Sequence, residues 1–197
     1  MKIVYCQNWY WFRNKPTEPM TEAQARARFD TDGATKLTVA LISDESPDGV
    51  PFATIETMPH GNGVSVNRYT ASGTPILGIG YKEIDGRMFA FGANEFHYPD
   101  PRESESTLLS LTAASKVEAY SFTPDGTAEV RRQLNEALYE FISLKVAQTP
   151  ERSEANWKPL LKFGNWDAYI PPTLAEFHEG LTIEEDVVLN RSDAYPG

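Results

Sequence analysis

Between residues 36 and 92 short runs of alternating apolar and polar residues are separated by glycine, proline, aspartate and asparagine, which restricts this stretch to a sheet of sequential hairpins. Leu37, Val39 and Leu41 alternate with Thr38 and Ala40. Phe52 to Met58 forms the next run, and Val64 and Val66 alternate with Ser65 and Asn67. Leu77, Ile79 and Tyr81 then share a face opposite Gly78 and Gly80. Asp85-Gly86 precedes Arg87 to Phe91, and a two-residue hairpin favours this dipeptide because both positions must accept positive φ. Short turns make successive strands antiparallel neighbours, so the region predicts a meander of about five strands.

The flanks add further elements. Lys2 to Phe12 is dense in β-formers and predicts one strand, or two short ones broken near Gln7-Asn8. Pro16 and Pro19 predict a loop. Thr21 with Gln24 forms a capping-box pattern for a short helix that stops at Asp32-Gly33. Lys116 to Phe122 alternates as a further strand. Thr123-Pro124 reads as a helix start, and Val130, Leu134, Ala137, Leu138, Phe141 and Ile142 fall at helical spacings. These spacings predict a long amphipathic helix over 124–147 that seals the sheet. Thr173 and Glu176 form a second capping box, closed by Gly180. Residues 184–197 are largely polar and read as a fraying tail. The expected fold is therefore α+β: an antiparallel β-meander sheet of about five to seven strands covered by one long amphipathic helix and short helices, in a single domain over 1–197.

Composition narrows the function. Eighteen basic against 28 acidic side chains give a formal charge of −10. Nucleic-acid affinity rests on neutralising phosphates, so the balance argues against that class and favours a basic protein partner. The single cysteine, Cys6, excludes an intramolecular disulfide and a zinc site of several thiolates, and it fits a reducing compartment. Met1 to Tyr5 lacks the pattern of a secretory signal, and no run reaches the length of a membrane span. The expectation is a cytoplasmic protein without membrane contact.

Familiar chemical signatures are missing. Gly78-x-Gly80 has no third glycine opening a helix, there is no phosphate loop, and no Gly-x-Ser-x-Gly elbow occurs. The three histidines, His60, His97 and His178, are not spaced i, i+4, so no metal site and no cofactor is assigned. Glu95 and His97 are two apart, which in an extended segment places them on one face. Together with Asp100 and with His60 or His178 they form the candidate catalytic group, His97 and Glu95 at its centre. Two aromatic clusters, Trp9-Tyr10-Trp11-Phe12 and Phe96-His97-Tyr98, stand out. Alternate members of a strand face opposite ways, so Trp9 and Trp11 would point inward while Tyr10 and Phe12 point outward. Tyr10, Trp11, Phe96, Tyr98 and Arg102 are the candidate binding residues.

A small, acidic, cysteine-poor α+β chain with no catalytic signature resembles bacterial immunity or antitoxin-type inhibitors at the level of class. That likeness implies a non-enzymatic acidic module that captures a basic partner. The alternative is a small-molecule-binding or hydrolytic enzyme with its site at the Glu95–Arg102 loop.

Overall fold

The computed structural model describes residues 1–31, 36–46, 48–57, 63–134 and 141–192. In chain order the main elements are β1 (Lys2–Tyr10), β2 (Lys15–Met20), α1 (Glu22–Asp30), β3 (Thr38–Ile42), β4 (Pro51–Thr57), β5 (Gly63–Tyr69) and β6 (Pro75–Ile84). They continue with β7 (Arg87–His97), α2 (Pro101–Ser106), β8 (Lys116–Phe122), β9 (Ala128–Leu134), β10 (Phe141–Gln148), α3 (Pro150–Ala155), β11 (Trp157–Pro159), α4 (Leu174–His178) and β12 (Leu181–Ser192). All the strands belong to one sheet of order β12-β10-β9-β8-β7-β6-β5-β4-β3-β1-β2, with β11 paired to β7. Every pairing is antiparallel.

The stretch from β3 to β7 is the expected run of hairpins, each strand paired with the next. Asp85 and Gly86 both take positive φ, 51° and 76°, at the β6–β7 turn. Val39, Ile55, Val66 and Leu77, at most 1% exposed, line one face, which we call inner. Alternation along each strand places them there.

The long helix over 124–147 is not formed. Ala128–Leu134 and Phe141–Gln148 are the strands β9 and β10, paired with each other, and residues 135–140 lie outside the described set. The fold class is therefore a predominantly antiparallel sheet, more than the five to seven strands expected, whose longest described helix is the nine-residue α1. The physical reason lies at Thr123-Pro124-Asp125-Gly126. This is a turn, not a helix cap: Gly126 takes φ 89°, the Thr127 amide donates to the Asp125 carboxylate at 2.9 Å, and the Thr123 amide bonds to the Thr127 carbonyl. Pro-Asp-Gly between two β-like runs is turn chemistry. Beyond it Ala128 and Val130 are buried while Arg131 is exposed, a period of two. The register β8–β9 then runs from Phe122↔Ala128 to Lys116↔Leu134.

Two smaller expectations also change. Pro16 and Pro19 lie in β2, an edge strand, where missing amide donors are tolerated. The polar stretch from 184 contributes to β12, paired with β10 as far as Ser192. Both capping boxes form as read, at Thr21/Gln24 and Thr173/Glu176.

Residues between β11 and β12 supply the layer that a helix was expected to provide. Phe163 stacks on Tyr5 at 5.5 Å, and the Trp166 Nε1 donates to the Tyr5 hydroxyl at 3.3 Å. Tyr169 meets Tyr81 edge-on at 5.7 Å, and Phe177 meets Tyr120 at 5.1 Å. The segment thus crosses the inner face from β1 to β8. A smaller cluster of Cys6, Trp9, Ala40 and Ile42 packs on the outer face. No helix among the described residues is long and apolar enough to cross a membrane.

Candidate functional site

At one end of the inner face, three adjacent strands place polar residues in register. Glu95 of β7 stands opposite Glu118 of β8, and Glu118 stands opposite Arg132 of β9. One step along, His97 faces Lys116. α4 comes down over this row and brings His178 with it. Its capping box fixes the helix start: the Glu176 amide donates to the Thr173 hydroxyl at 3.3 Å and the Thr173 amide donates to Glu176 at 2.7 Å.

The result is an ionic cluster built on two carboxylates that are each 3% exposed. His97 Nε2 lies 3.1 Å from Glu118 Oε2 and 3.3 Å from Glu95 Oε1. His178 Nε2 lies 2.8 Å from Glu95 Oε2, out of line for a hydrogen bond, and that oxygen has no donor among the described residues. Lys116 Nζ is 3.2 Å from Glu118 Oε2, and Arg132 Nε donates to Glu118 Oε1 at 2.7 Å. Arg132 also reaches Glu185 at 3.2 Å. Burial alone would raise the Glu118 pKa, but the bonds from His97 and Arg132 and the Lys116 charge outweigh it and hold the carboxyl down at about 2. Tyr120, between Glu118 and the α4 rings, is pushed well up by burial and by the Glu118 and Glu95 charges; its hydroxyl has no hydrogen-bond partner among the described residues.

Glu95, His97 and Glu118 are also the described residues that could hold a metal ion, with one ligand atom each within 4.8 Å of the others. Two cations already sit on Glu118, and their charge opposes a third. The cluster is better suited to holding protons than a metal. Chemically, a carboxylate that accepts Nε2–H fixes the tautomer and orientation of an imidazole and raises its basicity.

His97 is 32% exposed at its side chain and forms part of the wall of an open cleft of about 340 Å³. Phe96, Tyr98, Arg102, Ser104 and Leu174 line the same cleft. Tyr98 is held by donating its hydroxyl to the Pro75 carbonyl at 2.9 Å, and burial pushes its pKa up to about 12. α2 carries Arg102 and starts on Asp100, whose Oδ1 accepts from the Arg102 amide at 2.8 Å. Asp100 is therefore a helix cap apart from the His97 cluster. His60 lies outside the described residues.

The other nominated residues lie elsewhere. Trp9 is buried and Trp11 half-buried, its ring 4.0 Å from that of Tyr69. Tyr10 and Phe12 project from the end of β1, 41% and 83% exposed, with Arg13 over the Tyr10 ring at 5.8 Å. Tyr69, the ring partner of Trp11, lines an open pocket of about 620 Å³ whose charged lining is Glu45, Asp48 and Glu105. Cys6 is fully buried, and burial together with the Glu56 charge pushes its thiol up to about 11, so it is inert packing.

Sequence reasoning found Glu95, His97 and His178 and missed Glu118, Lys116 and Arg132. The Pro-Asp-Gly turn carried the signal: folding the chain back there brings Arg132 opposite Glu118. No protein-family model, curated protein or solved structure matches the chain.

Proposed function

We propose that the protein binds a small anionic ligand in the cleft beside the Glu95–Arg102 loop and acts on it through His97 as an acid–base group. The observation that carries this reading is the wedging of His97 between two almost fully buried carboxylates at the cleft wall. Buried carboxylates are costly, and their concentration at a concave surface is the pattern of a working site. Nε2–H is taken up by Glu118, which makes Nδ1 the nitrogen that accepts a proton. Arg102 supplies the positive charge for the ligand, and Phe96 and Tyr98 the apolar walls. Hydrolysis of an aryl ester such as p-nitrophenyl acetate, followed alongside an NMR titration with benzoate, tests this. We expect benzoate to shift the amides of Phe96, His97 and Arg102, and His97→Gln to lower the rate by about a hundredfold. Equal hydrolysis by the variant, with benzoate shifts elsewhere, would refute it.

A second reading has its own support. The exposed Tyr10 and Phe12, in edge contact at 6.2 Å, flank Trp11, whose ring partner Tyr69 lines the acidic pocket of Glu45, Asp48 and Glu105. Together with the −10 charge they suit a basic protein partner, as in an inhibitor of the immunity or antitoxin type. Capture of a host protein that weakens at high salt and is lost in Phe12→Ala supports it; no capture at either salt rejects it.

A further inference from the structure

Beside Phe177 lies another cavity, of about 140 Å³, between the sheet and α3, α4 and the chain at Ile170–Pro172. Its lining includes Tyr81, Phe122, Arg152, Asn156, Lys158 and Phe177. The Arg152 guanidinium is sandwiched between two aromatic rings, 5.3 Å from the centre of Phe122 and 5.2 Å from that of Phe177. Its Nη1 donates to Asn156 Oδ1 at 2.5 Å, and Asn156, 2% exposed, is itself fixed by donating to Gln148 at 3.0 Å. Arg152 Nε is buried and has no hydrogen-bond partner among the described residues. No carboxylate of the described residues forms an ion pair with Arg152. Glu176 also lines the cavity, its Oε2 accepting from the amide and hydroxyl of Thr173.

An arginine held this way is unusual in energy terms. Its side chain is half-buried, and a cation partly withdrawn from water without a counter-charge is held at a cost. Aromatic faces return only part of that cost. The chain nevertheless holds the side chain firmly. Gly180 at φ 73° lets the backbone pass so close that an added Cβ would sit 2.9 Å from Arg152 Cβ and 2.7 Å from Thr149 Oγ1. With Lys158 in the same lining, the cavity sets two positive charges against the single carboxylate of Glu176.

We propose that this cavity binds a small oxyanion, a phosphate or a carboxylate group, with Arg152 as its principal contact. The planar guanidinium presents paired N–H groups that match either group, and Lys158 and the Tyr81 hydroxyl complete the polar lining. The site is separate from the His97 cleft and does not depend on what that cleft does.

Isothermal titration calorimetry on the whole protein, with inorganic phosphate, acetate and chloride at matched ionic strength, is the test. The Arg152 Nε–H resonance is followed by NMR in parallel. Saturable binding of phosphate or acetate but not chloride, with a shift of the Nε–H signal, supports the proposal, and the better ligand identifies the source. Arg152→Met should weaken binding by at least about tenfold, and Lys158→Met by about threefold, while Lys145→Met, remote from the cavity, should leave it unchanged. If Arg152→Met does not fold, Lys158→Met and the Nε–H shift decide. Equal heats for all three salts, an unmoved Nε–H signal, or unaltered binding in both cavity variants overturns it.

Discussion

The aromatic run at residues 9–12 and the aromatic residues between β11 and β12 are alike in composition and opposite in use. Trp166, Tyr169 and Phe177 are each 1% exposed and rest on rings from β1, β6 and β8. In the first run exposure varies from residue to residue: Trp9 is 9% exposed while Phe12 is 83%. The later residues lie among 3-10 turns and short helices that face a single surface, the sheet, so all of them can be aimed at it. The first four sit on a strand end and a 3-10 turn, Trp11–Arg13, where the backbone sends neighbours in different directions. Aromatic density marks a place where apolar area is available. The backbone decides how much of it is spent on the core.

Four experiments break or sharpen this contrast. Trp166→Ala should destabilise the protein most, by about 3–5 kcal/mol in chemical denaturation, because a filled site on the inner face becomes a cavity. A loss below about 1 kcal/mol would mean that the covering segment contributes little to the core. Trp11→Ala should cost less, about 2 kcal/mol, since its ring covers Tyr69 but keeps one side in water. Alkaline titration gives a smaller, graded effect. Burial pushes Tyr81 and Tyr98 up to about 12, against about 10 in an unfolded chain. A folded pKa raised in this way gives a stabilisation that is complete below pH about 10 and disappears as the pH rises through about 12. Denaturation midpoints measured across that window should fall steadily; a flat profile would show these hydroxyls to be solvated. Phe12→Ala should change stability by less than about 0.5 kcal/mol, and a larger loss would place that ring in a contact within the fold.

The meander was legible because each of its strands repeats one local message: alternation, then a turn residue. Asp85-Gly86 needed no tertiary information. Residues 123–148 were not, because Val130, Leu134, Ala137, Leu138, Phe141 and Ile142 fit a helical stripe while the observed strands use a different subset, Val130, Leu144 and Val146. Both periods are present in the sequence, and the Pro-Asp-Gly turn decides between them. That misreading also hid half of the candidate site. Glu95 and His97 are neighbours in sequence and declare themselves. Glu118 and Arg132 become partners only through the β8–β9 register, which a helix would have erased. His178 needed the long excursion over the inner face, for which local sequence offers no measure.

The β2 edge has a consequence for assembly. Pro16 and Pro19 lack amide hydrogens, and between them Glu18 turns to φ 47°, out of the extended conformation. A strand arriving from another molecule would meet a ladder with missing rungs and a kink in its rail. Growth by strand addition is thus blocked on that flank, and β12 at the opposite border is itself interrupted, its register against β10 shifting between Glu184 and Val188.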